Sequence, residues 1–283
     1  MEQEKHWDLI IKPKNKWYQL DLVAIWKYRD LLMLMVRRDF VSVYKQTILG
    51  PIWFFIQPVI TSITFTFIFG GVAKISTDGN PPILFYMAGI TLWTYFSDCL
   101  TKTSNTFIAN AGVFGKVYFP RLIIPLSVLL SNLIKLGIQF LIFISIWIYY
   151  LSFSINVLPH WNLMWVLPIL ILMMAGLGFG FGILFSSLTT KYRDLTFLIG
   201  FGVQLLMYAS SVVIPVSSMS GNVKFLMLLN PLTSIIEAFK YIFLGSGFFD
   251  PIWLIYGFGF MILLIGMSVI IFNKVEKSFM DTV

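Results

Sequence analysis

Few residues in this 283-residue chain could do chemistry, and their spacing keeps them apart. The two histidines, His6 and His160, fall on opposite sides of the membrane in the topology below, so they cannot share a metal ion. Cys99 is the single cysteine, which excludes an internal disulfide and a zinc cluster. The acidic residues are scattered, with no pair placed for general acid and base work. The nearest approach to a phosphate loop is Gly112-Val113-Phe114-Gly115-Lys116-Val117, where the glycine spacing is wrong and Val117 cannot ligate magnesium. A few polar groups stand out because of what surrounds them. Gln57 is a lone amide in an apolar run and wants a polar partner or a cavity. Lys135 sits in mid-span, where a lysine costs about 2.5–3.5 kcal/mol on insertion scales, so it must face protein or water, or snorkel. Glu237 and Lys240, three apart on a helix, can pair with each other. Asp98 lies close enough to a membrane boundary to be solvated. No catalytic group, metal site or cofactor site is visible, so any work done here draws its energy from elsewhere.

The elements around these residues belong to a polytopic membrane protein. The chain is 58% hydrophobic and 12% charged, about half the charge of a soluble domain, and its mean hydropathy is +0.84. The net charge of +7 does not suggest nucleic acid, because the basic residues are not gathered around an aromatic platform. Residues 1–20 are polar and lack the apolar core of a signal peptide, so they are expected to stay, on the cytoplasmic side. A helix is expected over 21–46, with Trp26, Met33, Val36, Phe40 and Tyr44 on one face and Lys27, Asp30, Arg38 and Lys45 on another, the pattern of a helix in the interface plane. It runs into a first span whose prolines, Pro51 and Pro58, leave backbone carbonyls that Thr61, Ser62, Thr64 and Thr66 could satisfy. Six spans are expected, at 48–72, 83–101, 122–151, 163–188, 195–214 and 251–272, within a domain of residues 47–273 followed by a polar tail at 274–283. Gly178 and Gly182 in the fourth fit small-xxx-small helix packing. Between the fifth and sixth, residues 217–250 hold two apolar pieces too short to cross, read as re-entrant helices in one leaflet. With this topology 16 Lys and Arg lie on the side of the N-terminus, against Lys74, Lys224 and Lys240 on the other, which places both ends in the cytoplasm.

Four ordered motifs carry a resemblance. They are Gly50-Pro51-x-Trp53 with Pro58, Phe114-Gly115-Lys116-Val117-Tyr118-Phe119-Pro120-Arg121 with Pro125, Tyr192-Arg193-Asp194, and Asn230-Pro231-Leu232-Thr233 followed by Glu237-Ala238. From about residue 22 onward the chain resembles the permease subunit of type-2 ABC exporters, in the branch that exports O-antigen, capsular polysaccharide and teichoic acid. The resemblance implies an all-α integral membrane subunit with an N-terminal amphipathic interface helix at 21–46. It implies a partnership with a second copy of the chain and with two ABC nucleotide-binding subunits, which would hold ATP and magnesium. Contact with those subunits falls on the interface helix, with Arg37 and Arg38, and on a coupling helix at 111–121 in the loop 102–121, with Gly112, Gly115, Lys116, Phe119, Pro120 and Arg121. The first and fifth spans would line the channel, with Trp53, Phe54, Gln57, Pro58, Phe65 and Tyr208 on the path. Aromatic faces suit a sliding polymer, since they stack on pyranose rings without fixing register. Asn230, Pro231, Glu237 and Lys240 would belong to the outer gate.

The function this implies is export of a lipid-linked, O-antigen-like polysaccharide across the bacterial inner membrane, without an ATPase site in this chain. Teichoic acid, a drug or a small lipid are alternative cargoes on the same fold. A membrane-bound sugar transferase would cluster acidic or histidine residues at one leaflet, and none are seen. A passive channel would work without a nucleotide-hydrolysing partner.

Overall fold

The computed structural model describes residues 22–45, 50–114, 117, 119–153, 157–192 and 194–279, and among these every regular element is helical. The expected N-terminal segment 1–20 lies outside the described residues, as do Gly115, Lys116, Tyr118, Arg193 and residues 280–283.

The expected interface helix is two helices, α1 (Leu22–Lys27) and α2 (Arg29–Tyr44), joined at Tyr28, whose backbone leaves the helical region (φ −95°, ψ 19°). The face that packs on protein coincides only in part with the one that periodicity selects, through Val36 and Phe40. Ile25, Tyr28, Leu31 and Leu32 lie against the core at that end of the bundle, and Met35 and Val36 are buried. Trp26 and Met33 point outward instead, 70% and 63% exposed. A helix between protein and lipid needs two apolar seams, and a single stripe drawn on the sequence averages them.

A short 3₁₀ turn, Gly50–Ile52, leads into α3 (Trp53–Phe65), which continues as a π-helix over Thr66–Val72. Three of the expected hydroxyls do bond to the helix backbone: Thr61 to the Gln57 carbonyl (2.8 Å), Ser62 to that of Pro58 (2.7 Å) and Thr66 to that of Ser62 (2.8 Å). They act one to two turns beyond the carbonyl that Pro58 strands, which is that of Phe54. Such back-bonding loosens the i−4 ladder, and the ladder lengthens to π geometry where it ends.

α4 (Pro82–Ser104) is the central helix, mostly buried and packed by α3 on one side. It is followed almost at once by α5 (Thr106–Phe114), kinked at Asn110. Of the segment 111–121 expected as a coupling helix, residues 111–114 are the end of α5, and Phe119–Arg121 is not helical, in keeping with the bias against helical backbone ahead of Pro120. α6 (Ile123–Phe153) is about 46 Å long at 1.5 Å per residue, longer than a bilayer core is thick. α7 (Leu167–Thr189) follows a 3₁₀ turn and packs between α4 and α11 (Pro251–Phe279). The tail expected after Phe272 begins as the same helix, through Phe279.

Among the described residues five helical stretches are long and apolar enough to cross a membrane: Trp53–Val72, Pro82–Ser104, Ile123–Phe153, Trp161–Thr189 and Pro251–Val275. The segment expected as a fifth crossing, 195–214, is helical only over α8 (Leu195–Tyr208), and residues 209–213 form turns. α9 (Gly221–Leu229) and α10 (Pro231–Leu244) meet at 98°, the bent pair of a re-entrant segment or a broken span. Helix ends follow local signals: Asn230 accepts from the Leu232 N–H (3.1 Å) and Asp250 from the Ile252 N–H (2.9 Å), each directly before a proline.

The α7 glycines let α7 approach both neighbours. A Cβ at Gly178 would lie 2.8 Å from Cys99 Cβ, and one at Gly182 only 2.5 Å from Thr103 Cβ, both on α4. Gly180 faces Leu264 of α11 at 2.9 Å on the same reckoning. Gly182→Ala should therefore cost about 1–3 kcal/mol through overpacking. Gly137→Ala on α6, where nothing lies within 4 Å, should be neutral or gain up to about 1 kcal/mol of helix propensity. Denaturant unfolding in mild detergent compares the two.

Candidate functional site

Polar side chains gather at two ends of the bundle, and α10 organises one of them. Thirteen of its 14 residues are buried, among them Glu237 and Lys240, at 0% and 1% exposure. The surface pair expected from their spacing is thus an interior one, with Lys240 Nζ 3.9 Å from Glu237 Oε1 and 3.5 Å from the centre of the Phe85 ring. Lys240 is accordingly not a topology signal on the surface. Its ammonium donates to the Ser211 carbonyl, in the turns where α8 unwinds. Asn230 Nδ2 donates to the Ala209 carbonyl (2.9 Å), and Ser211 Oγ donates to the Thr233 carbonyl (3.3 Å). On the other side Glu237 Oε2 accepts from the Phe248 N–H (3.0 Å). Non-helical backbone among apolar helices is tolerated where protein groups satisfy it, and Lys240 of α10 and its N-cap Asn230 do this for two carbonyls after α8.

At its C-terminal end α10 has its last four carbonyls covered from α6 and the segment after it. His160 Nδ1 and the Gly245 N–H meet the Tyr241 carbonyl (3.0 and 3.1 Å), and the His160 N–H meets that of Ile242 (2.9 Å). Trp147 Nε1 donates to the Phe243 carbonyl (2.7 Å), and the Leu158 N–H to that of Leu244 (3.4 Å). The α3–α4 loop joins the same end through Asn80 to Ser246 and Asp78 to Ser217 (2.5 Å).

The opposite end is built around an open cavity of about 610 Å³ between α2, α3, α4, α5 and α6. Lys135, the mid-span lysine, pairs there with Asp98 at 2.6 Å, with Phe54 5.9 Å away across its ring face. Lys102 Nζ donates to Asn132 Oδ1 (2.9 Å). Arg38 and Asp39 bond at 2.7 Å, and Asp39 also accepts from Ser127 Oγ (3.2 Å), tying α2 to α6. Asp98 therefore has a partner, where proximity to the boundary seemed reason enough for its charge. Two ionisable residues on successive apolar helices are the signal that could have linked them, since each is the natural remedy for the other.

The residues expected at the ATPase contact divide by exposure. Arg37, Arg38 and Gly112 are exposed, and Gly112 has open space around it. Phe119 and Arg121 are buried, Phe119 stacked 5.8 Å from Phe114 and the Arg121 guanidinium 5.5 Å from the same ring, with Pro120 half-buried between them. Gly115 and Lys116 lie outside the described residues. Phe107 stacks on Phe272 at 4.7 Å, so α5 and the end of α11 meet at the end that also holds α1 and α2.

The residues expected on the path divide as well. Trp53, Gln57 and Tyr208 lie on exposed faces, Trp53 at 47% and Tyr208 at 46%. Phe54 and Pro58 are buried within the chain, and Phe65 is half-buried against Phe69 and Tyr86. The buried positions repeat every four residues, from Phe54 through Pro58 to Ser62, so they form the packing face of α3 and not a second exposed one. α3 and α8 each pack on α4.

The described residues form a helical membrane body with charged pairs at both ends. Residues 30–244 match the family described as ABC-2 type transporter, most of the chain, and the protein belongs to that family. It is a multi-pass permease domain, a transport subunit and not an enzyme; in this family the ATPase resides on a separate subunit with which the permease pairs. Two proteins of Klebsiella pneumoniae, each named O-antigen export system permease protein RfbA, are 28% identical to the chain over 253 residues, 89% of this chain and 94% of theirs. A Myxococcus xanthus protein of the same name is 23% identical over 221 residues, 77% of this chain and 82% of its own.

Lys240→Met should cost about 3–5 kcal/mol, because it strands a buried carboxylate and removes the donor to Ser211. Glu237→Gln combined with Lys240→Met keeps an acceptor for Phe248 without a charge, and should recover a good part of that loss. Unfolding midpoints of the single and double variants in detergent measure both.

Proposed function

We propose that this chain is the membrane subunit of an ATP-driven exporter that moves a lipid-linked, O-antigen-like polysaccharide out of the cytoplasm across the bacterial inner membrane. The observation that carries the reading is the end-to-end match to proteins named as O-antigen export permeases, 94% of whose length is covered. Two copies of the chain pair with two nucleotide-binding subunits, and the N- and C-termini are cytoplasmic, with six crossings that include α8 and the turns after it. The gathering of α1, α2, α5 and the end of α11 at one pole is consistent with ends that share a side.

In this reading the exposed Arg37, Arg38 and Gly112, with Gly115 and Lys116, meet the ATPase, and the buried Phe119 and Arg121 with the half-buried Pro120 fix the shape of the loop that meets it. Trp53, Gln57 and Tyr208 face the polymer, on the sides of α3 and α8 that this chain leaves open. Phe54, Pro58 and Phe65 support that face from behind. α10, through Asn230, Pro231, Glu237 and Lys240, closes the outer end.

Co-expression with its ATPase partner in a host that makes the glycan tests the assignment. Lys116→Glu should leave the protein inserted and abolish surface glycan while ATP hydrolysis continues, and unchanged display would remove the coupling role. Gln57→Trp should block display by bulk, and normal display would put the path elsewhere. Accumulation of lipid-linked glycan in the cytoplasmic leaflet on deletion separates polysaccharide export from export of a drug or small lipid. For topology, a cysteine placed at Lys274 in a Cys99→Ala background should react with an impermeant thiol reagent only after the membrane is opened.

A further inference from the structure

Within one chain, burial does not hold the last turns of the first membrane helix in place. None of the seven residues of the π segment Thr66–Val72 is buried, against thirteen of the fourteen in α10. Phe67 and Val72 are 68% and 69% exposed, and on the other side Phe69 meets the Tyr86 ring of α4 with centroids 6.3 Å apart. Short π segments occur frequently at functional sites. This one runs straight into the loop 73–81, whose Ile75 N–H reaches back to the Phe69 carbonyl (2.8 Å).

That loop is tied at two points to the parts of the chain that flank the α9–α10 pair. Asp78 Oδ1 accepts from Ser217 Oγ (2.5 Å) in the link between α8 and α9. Asn80 Nδ2 donates to Ser246 Oγ in the link between α10 and α11. The second link is itself fastened to α10, because the Phe248 N–H donates to Glu237 Oε2 (3.0 Å). Lys74 and Asp78 hold φ at 52° and 54°, a left-handed backbone that residues with a side chain keep only where their surroundings require it.

The same loop is built to let go. Thr77 Oγ1 donates to the Asn80 carbonyl (2.8 Å) and the Asn80 N–H to the Thr77 carbonyl (3.1 Å), so the turn carries its own backbone bonds with it when it moves. Asn80 Nδ2 has a second acceptor inside the turn, the Thr77 carbonyl (3.4 Å). The Asp78–Ser217 contact is exposed, where water can replace either partner. The bonds that fix α10, such as Trp147 Nε1 to the Phe243 carbonyl, are buried and have no such exchange.

We propose that residues 73–81 are a releasable clasp. Closed through Asp78–Ser217 and Asn80–Ser246, it holds the end of α3 against the fixed α10 assembly; open, it frees the π segment to move away and widen that end of the bundle. That this end is the exit rests on the function proposed above, whereas the parting of the clasp under ATP does not depend on which cargo is carried.

Two cysteine pairs test it in a Cys99→Ala background, with the ATPase partner co-expressed: Asp78→Cys with Ser217→Cys, and Asn80→Cys with Ser246→Cys. In membranes without nucleotide, copper phenanthroline should close each pair, read as loss of both thiols to a maleimide-polyethylene glycol gel shift. Trapping ATP with vanadate should slow closure about tenfold, the change expected when the closed arrangement falls to about a tenth of the population. The disulfide should abolish surface glycan, and reductant should restore it. Failure of both pairs to close without nucleotide, equal rates with and without trapped ATP, or full display by the cross-linked protein would each overturn the clasp. Slowed closure in a complex whose wild type displays no glycan would leave the clasp standing and overturn the export assignment.

Discussion

A backbone amide or carbonyl inside an apolar bundle has no water to turn to, and α10 is where this chain meets that constraint most severely. The helix is too short to cross a membrane, so both of its ends fall where neither solvent nor a continuing helix can satisfy them. Its N-terminal end is capped by Asn230, its last four carbonyls by His160, Trp147, Leu158 and Gly245, and its two charges by each other and by neighbouring backbone. The partners come from α6, the segment after it, and α10 with its own caps. This end of the fold is therefore a single hydrogen-bonded assembly, and the unwinding of α8 at Tyr208 belongs to it: two carbonyls released there accept from Asn230 and Lys240.

The other end of the bundle is held differently. Phe107, Phe114, Phe119 and Phe272 form an apolar cluster under α1 and α2, and the charges stand beside it, around a cavity. A charge pair such as Lys135–Asp98 is weak support for stability when its cost of desolvation is counted. Here it lines an opening, so its desolvation is incomplete, and it keeps a polar space open between helices that could otherwise close on apolar side chains. Packing at this end is supplied by the aromatic cluster, beside which the charged side chains pair around the cavity.

Much of this was legible in the sequence. The long spans follow from hydropathy, and Asn230-Pro231 and Asp250-Pro251 announce the starts of α10 and α11. The absence of an engine sends attention to a separate ATPase. What was hidden is what depends on distant residues. Residues 209–214 are as apolar as a continuing span, and only Lys240 and Asn230, some 20 to 30 residues later in the sequence, give the chain a reason to unwind there. Asp98 and Lys135 posed two separate puzzles in one dimension, and one contact resolves both. The directions of Phe54, Pro58 and Phe65 were illegible for another reason. Where nearly every residue is apolar, periodicity cannot distinguish a face against protein from one against lipid or a path, and only α4 and α6 decide it.

α4 joins the two ends. Its first turns carry Phe85 and Tyr86 against Lys240, Phe65 and Phe69, and Gly89 lets the unwound end of α8 come close, a Cβ there falling 3.2 Å from Val212 Cα. Its last turns carry Asp98 and Lys102 to the cavity, and α5 begins one residue after it ends. A force applied at α5 has little room to dissipate before it reaches α4, because close-packed helices move as bodies and do not deform continuously. The parts that can yield are those whose backbone ladder is already broken: the π segment after Phe65, the kink at Asn110, and the turns after Tyr208. Two of these three lie at the C-terminal ends of α3 and α8, helices that pack on α4 and leave other faces exposed. The centre is thus rigid and its neighbours compliant, while α10 stays locked to its partners.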